Sequence, residues 1–369
     1  MSIFRKRGRT AALVLSALML VSAAAQASGT WRSFPANEVP TEQGYLVQEY
    51  TGTVRITFLG DCTLGCEEGI RGTYRSFVKT IERKGFAWPF RHLALLTAAD
   101  DLTVANLEGV LSDRKLSKVK KTYNFIGPAA YTGILKAGSV ECVTLANNHS
   151  HDYDTAGYQD TKAALEAEGV AYFGTDVPAV WRNEDGLMIG FLGVSGSVSG
   201  NRAKEYRKQA EYLRSIGCSA VITVMHAGTE YASEPDGYQN QIVNLALECG
   251  SDLVIGHHPH VVQGCEIRDG VPVVYSLGNC VFGGNTNPRD HDALAVVAEL
   301  SFREGVPEEI TLRFYPLSVS GEAGRNDYSP VFLDGADAER VLKKMEESTG
   351  VFPGSFDASG GAVVTVPVK

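Results

Sequence analysis

Carboxylate, amide and imidazole side chains recur in this chain at the ends of apolar runs. VRITFLG (54–60) runs into Asp61. LTVANLEG (102–109) closes on Asn106, Leu107 and Glu108. VECVTLANNH (140–149) closes on Asn147, Asn148 and His149, with His151 and Asp152 just beyond. AVITVMHAG (220–228) holds His226, with Glu230 following, and SDLVIGHHPH reaches His257, His258 and His260. Six of the eight histidines sit at three of these ends, and only His92 and His291 lie elsewhere.

Such donors, converging from several strands, make a metal site of mixed oxygen and nitrogen ligands that needs no thiolate. That set selects manganese, iron or zinc over a structural zinc cage, with magnesium a weaker match. Six or more ligands predict two divalent transition metal ions, bridged by a carboxylate at roughly 3.5–4 Å. Such a pair lowers the pKa of a bridging water and polarises the oxygen of the group under attack. A histidine outside the metal shell then donates a proton to the leaving group. Taken singly, each residue has a structural explanation: Asp61 as a cap, Asn147 and Asn148 as a turn, Glu108 as a solvated acid. Five strand ends with the same chemistry favour the shared explanation. In an extended segment alternate positions face one way, so His258 and His260 are expected as a same-side ligand pair. His257 then turns toward the protein as support.

The elements that must position these residues alternate. Strands are predicted at 54–60, 102–109, 140–149, 170–174, 187–195, 220–228 and through SDLVIGHH. Between them lie helices at 91–100, 129–138, 155–169, 203–217 and 238–250. Further strands follow at 271–282, 293–302 and 309–319. A helix at 337–349 with Asp337 as its cap and the strand AVVTVPV complete the chain. This pattern predicts an α/β layered domain, in which ligands bind where strands end.

The first 27 residues read as a signal peptide or an N-terminal anchor: a basic start, a short apolar run, then Ala25-Gln26-Ala27. The expected location is therefore secreted or extracytoplasmic, with residues 1–27 as the possible membrane anchor. Residues 28–53 read as a linker. Cleavage after residue 27 leaves 30 Lys and Arg against 43 Asp and Glu, a net charge of −13, which argues against nucleic acid as a partner. The lysine run Lys115, Lys118, Lys120 and Lys121 is expected to be a solvated surface. The seven scattered cysteines are expected to be mostly buried free thiols.

The motifs FLGDCTLG (58–65), VANLEGVLSD (104–113), YNFIGPAAYTGILKAG (123–138), LANNHSHDYDTAGYQDT (145–161), HAGTEY (226–231), GHHPHVVQG (256–264) and YSLGNCVF (275–282) resemble, in this order, the CapA family of capsule or poly-γ-glutamate synthesis proteins. The resemblance spans roughly residues 54–320, with 321–369 as a helix and strand extension of the same domain. It implies a four-layer α/β/β/α sandwich of calcineurin-like metallophosphoesterase type. It implies Asp61 as first-strand ligand, Glu108 as bridging carboxylate, and Asn148, His226, His258 and His260 as further metal ligands. His149 takes the place of the proton donor. Implied functions are a dinuclear-metal hydrolase, a non-catalytic accessory subunit of a poly-γ-glutamate synthesis or export complex, or a γ-glutamyl amide hydrolase or transferase. Implied partners are an anionic polymer, a phosphorylated or γ-glutamyl small molecule, and a membrane capsule-synthesis complex. Asp61 is not followed by the common Asp-x-His pattern, and Glu108 stands where Asp is usual. Ala227 replaces a Trp, which is expected to open the pocket, and Cys280 replaces a Phe.

Overall fold

The computed structural model describes residues 29–33, 50–350, 352–356 and 361–368. The segment read as a leader, residues 1–27, lies outside the described residues. Inside the segment read as a linker, Thr30–Ser33 forms an edge strand on Ala179–Arg182. No helix of the described residues is long and apolar enough to cross a membrane.

Two large sheets form the body. The larger is ten-stranded and centres on Gly52–Thr63, which has Leu102–Leu107 on one side and Asp292–Arg303 on the other. Gly52–Thr63, Leu102–Leu107, Cys142–Thr144 and Ala171–Phe173 run parallel. The seven-stranded sheet centres on the parallel strands Met188–Ser195, Ala220–His226 and Leu253–His257.

Side-chain alternation sets the layers. Ile56, Phe58 and Val104 from the larger sheet share one core with Phe191, Ile222 and Ile255 from the smaller, so the sheets stack face to face. On its outer side the larger sheet presents Leu59, Ala105 and Val143 to Phe77, Ile134 and Leu165 of three helices. The smaller sheet presents Leu192, Val221 and Val254 to Tyr206, Leu213 and Ile242 of two more. This is the α/β/β/α sandwich that the resemblance implies. Strands buried on both faces explain the near-continuous apolar runs. Helix Gly335–Thr349 adds Val341, Leu342 and Met345 to the core between the sheets, and Ala362–Pro367 pairs with Val306–Ser318.

Three local expectations are corrected. The helix expected at 91–100 is a single turn, Ala94–Thr97; the helix lies earlier, at Phe77–Lys84, capped by the Ser76 side chain accepting the Lys79 N–H. Asp101 claims the end of that segment for the sheet, because its carboxylate accepts the Arg55 N–H at 2.7 Å. Asp337 does not cap the last helix; it sits in the first turn and pairs with Arg340 at 3.1 Å. Ala227 is buried in the helix-side core of the smaller sheet, so its small side chain does not widen a pocket. All seven cysteines are free, and six are buried.

Candidate metal centre

The parallel strands of both sheets deliver their ends to one point. Asp61 lies near the end of Gly52–Thr63, and Glu108 follows Leu102–Leu107. His226 and His257 end two neighbouring strands and are register partners. Close backbone approach is needed here: a Cβ on Gly60 would lie 2.2 Å from the Gly278 carbonyl oxygen, which accepts the Asp61 N–H at 3.0 Å.

Two ligand groups emerge, and Glu108 belongs to both. Asp61, Glu108 and His260 bring one donor atom each within 4.8 Å of one another, as do Glu108, His226 and His258. In the second group His226 Nε2 stands 3.0 Å from His258 Nδ1, 3.4 Å from Glu108 Oε1 and 2.8 Å from Asn148 Oδ1. Four ligands around one ion at about 2.1 Å lie roughly 3.4 Å apart, so this spacing suits a single ion. In the first group His260 Nδ1 lies 3.1 Å from Asp61 Oδ2 and 2.9 Å from Asn279 Oδ1.

Glu108 provides the fit test. Its side chain has no solvent exposure, and neither carboxylate oxygen has a hydrogen-bond partner among the described residues. A buried carboxylate costs several kcal/mol to desolvate unless it is paired or coordinates a cation. Two orphaned oxygens, each able to face one ligand group, match a bridging carboxylate. The donor set of carboxylates, imidazoles and amides suits divalent transition metals.

The electrostatics support this. Burial works to raise the pKa of Asp61, but the adjoining His257 and His260 imidazoles hold it well below the usual carboxylate range. Burial likewise opposes ionisation of Glu108, and the His260 charge with the His226 contact brings it down to about 2. Burial and the neighbouring His226 lower His258 to about 4, which leaves a neutral ring with a free lone pair. His260 is pushed up to about 9: burial acts downward, but Glu108 and Asp61 outweigh it. A cation entering the first group therefore replaces a proton on His260.

The histidine run does not behave as an extended segment. The strand ends at His257, and His258 (φ 100°) and His260 (φ 57°) adopt left-handed backbone conformations. The expected same-side pair is corrected: the two rings serve different ligand groups. Such conformations cost on the order of 1–3 kcal/mol each and concentrate at functional sites. His257 is in neither group. Its Nδ1 lies 3.3 Å from Asp61 Oδ1, close enough for an ion pair but without hydrogen-bond alignment.

His149 stands beside the groups with Nε2 3.9 Å from Glu108 Oε1. Its Nδ1 meets Asp152 Oδ2 at 2.7 Å, and its ring lies against Phe125 at 4.4 Å between centroids. Asp152, fully buried, is held by the Phe125 N–H at 2.6 Å and by Lys121 Nζ at 2.7 Å. Lys121 also donates to the Asn148 carbonyl at 2.9 Å. The reading of the lysine run as wholly solvated is thus corrected for Lys121, while Lys115, Lys118 and Lys120 are exposed. His151 and Glu230 are exposed and outside both groups, His151 stacking on Tyr158 at 4.4 Å.

Asn106 stands in the sequence as a strand-end amide without a role, and Asn279 only as a motif letter. The Asn106 side chain donates to Asp61 Oδ1 at 2.7 Å and contacts His226 Nδ1 at 3.1 Å, so it orients one member of each group. Asn279 pairs with Asp61 in parallel register, which carries its side chain to His260. The signal for Asn279 was its place in YSLGN after a strand; for Asn106, its alternation with Leu107 beside Glu108.

The family model of the bacterial capsule synthesis protein PGA_cap matches residues 55–284, which include every ligand named above. The chain belongs to this family. It is 27% identical over 294 residues to the capsule biosynthesis protein CapA of Bacillus anthracis, covering 69% of each chain. It is 28% identical over 265 residues to the PGA biosynthesis protein CapA of Bacillus subtilis, covering 63% of this chain and 65% of that one. This CapA-like chain therefore spans about two thirds of the length of those relatives. Among solved structures, TT1561 of Thermus thermophilus aligns with a TM-score of 0.36 at 11% identity, covering 70% of this chain and 98% of that one.

Proposed function

We propose that this chain is an exported metal-dependent hydrolase of phosphoesterase type that serves capsule or poly-γ-glutamate biosynthesis. Its substrate on this reading is an anionic polymer, or a phosphorylated or γ-glutamyl small molecule, handled beside a membrane capsule-synthesis complex. The observation that carries the reading is Glu108, a buried carboxylate with both oxygens unpartnered between two ligand groups. Asp61, His260 and Asn279 would hold one ion, and His226, His258 and Asn148 the other, with Glu108 between them. Two bound divalent ions would supply hydroxide near neutral pH and polarise the bond under attack.

The chain's own residues supply the rest. Asp152 engages Nδ1 of His149 and fixes the ring, so Nε2 is the nitrogen turned toward the ligand groups. From there it gives a proton to the leaving oxygen or nitrogen. Lys121 and the Phe125 N–H hold Asp152 in place. The same arrangement serves attack on phosphorus or on a γ-glutamyl amide carbonyl, and the substrate screen separates them. A purely accessory role gives no reason to bury two carboxylates and orphan one of them.

The test is a screen of the manganese- or zinc-loaded protein against a phosphomonoester, a phosphodiester and a γ-glutamyl amide. His149→Ala serves as control. Turnover that falls about 10²–10⁴-fold in the variant at unchanged metal content is expected. No turnover by the folded, metal-loaded protein assigns the accessory role instead.

A further inference from the structure

Cys62 follows Asp61, and Cys280 follows Asn279. Gly52–Thr63 and Asn279–Phe282 run parallel side by side, with Asp61 and Asn279 as register partners. Both of those side chains meet His260 Nδ1, at 3.1 Å and 2.9 Å, so both face the metal centre. Side chains alternate along a strand, so the next residue of each strand turns the other way. Cys62 and Cys280 accordingly lie together in the helix-side core of the larger sheet, with Phe77 and Leu107, and neither has any solvent exposure. Their thiols are hydrogen-bonded to each other. The pairing is irregular at this point: Cys62, between Asp61 and Thr63, stands against both Cys280 and Val281. None of the other five cysteines has a second thiol beside it among the described residues. Cys280 replaces the Phe of the family motif, so the pair is not part of the family pattern.

We propose that Cys62 and Cys280 are a covalent modification site, at which the chain acquires one disulfide behind the metal centre. Neighbouring strands lie about 4.7–4.9 Å apart, inside the range of roughly 4.4–6.8 Å between Cα atoms that a disulfide spans. The extra residue opposite Cys62 lets the backbone adjust as the sulfurs join. In the structure both are thiols. The step is thiol–disulfide exchange with a low-molecular-weight or protein disulfide as oxidant. One cysteine attacks the oxidant, and the other displaces it. The Cys62–Cys280 bond forms and the oxidant's S–S bond breaks. The oxidant's two sulfurs leave as thiols, carrying the two electrons and two protons that the cysteines give up. Exported chains meet such oxidants. Fully buried sulfurs are out of their reach, so exchange precedes closure of the core, which afterwards shields the bond from reductants. The bond ties strands far apart in sequence and fixes the register that carries Asp61 and Asn279 to His260. The oxidising surroundings rest on the exported location proposed above, whereas the pairing rests neither on that location nor on catalysis.

The experiment takes the full chain in two forms, one exported into an oxidising compartment and one refolded in vitro with oxidised glutathione. Remaining thiols are alkylated under denaturing conditions, peptide mass spectrometry locates the linked pair, and thermal melts are run with and without reductant. One Cys62–Cys280 link is expected, with the other five cysteines alkylated. Reduction should lower Tm by about 3–6 °C. Cys280→Phe and Cys62→Ala should each lack the link and show no response of Tm to reductant, while Cys142→Ala should keep both. Should Cys280→Phe not fold, Cys62→Ala, which only removes volume, carries the comparison. A link in the refolded chain alone supports the pairing and counts against the exported location. Seven alkylated cysteines in the folded, oxidant-treated protein, a link between any other two cysteines, or an equal response to reductant in Cys62→Ala and the wild type each overturns the proposal.

Discussion

Replacing Glu108 by Gln separates a shared ligand from one that serves a single ion. The amide keeps the shape of the carboxylate but removes its charge, and the two groups lose a common donor. The acids of the two ligand groups then fall from Asp61 and Glu108 to Asp61 alone. Loss of a charged ligand should exceed the 10–100-fold effect of an outer-shell change, so we expect about 10²–10³-fold, or roughly 3–4 kcal/mol, at each ion. At a free metal concentration about 100 times Kd, the wild type gains about 2.7 kcal/mol of stability from a single bound ion. With an unfolding entropy of about 2.1 cal/mol/K per residue, a domain of this size shows a corresponding rise in Tm of about 4 °C. Glu108→Gln should lose nearly all of this rise and retain neither ion after dialysis. Asp61→Ala and His258→Ala should each lose chiefly one. The exposed acid Glu230 and the stacked His151 supply controls, because Glu230→Gln and His151→Ala should bind metal as the wild type does. Metal content by mass spectrometry and thermal melts with and without manganese read both quantities. Full metal content in Glu108→Gln, with an undiminished rise in Tm, would refute the bridging assignment.

Three further outcomes follow from other parts of the structure. Asn279→Ala removes the oxygen 2.9 Å from His260 Nδ1 and should weaken one ion about 10–100-fold while sparing the other, as competition with a chelator will read. Burial and neighbouring Asp100 raise the Glu141 pKa to about 7 from 4.5, although the Thr103 N–H at 2.7 Å opposes them. The folded form therefore holds this proton more tightly than the unfolded one, a contribution present below pH 4.5 and lost as pH rises through 7. Glu141→Gln should thus exceed the wild type in stability by on the order of 2 kcal/mol at pH 8 and match it near pH 4, and a pH-independent difference in urea melts would contradict this. Gly60→Ala places a Cβ 2.2 Å from the Gly278 oxygen and should cost about 3 kcal/mol or more by denaturant melts, while Gly69→Ala, in open space, should be near neutral.

What the sequence determined by itself was local. Apolar runs of strand length ending in Asp, Glu, Asn and His identify strand ends as the site, because strands buried on both faces have no room in their middles for ionisable side chains. The order of strands and helices predicts the layered fold for the same reason. The family motifs add the four layers and the ligand roles. Tertiary structure decided which ends meet. Glu108 becomes common to two ligand groups because Leu102–Leu107 lies beside Gly52–Thr63 in one sheet and faces the His226 strand of the other. Asn279 reaches His260 through a parallel pairing with Asp61 across more than 200 positions of sequence. Lys121, one of four similar lysines in sequence, turns inward because the buried Asp152 carboxylate needs a cation. His258 and His260 part company because their backbone leaves the strand with positive φ, which periodicity does not encode. Periodicity reports which face of an element is apolar. Contacts between elements depend on register and on turns, which are settled only when the layers close.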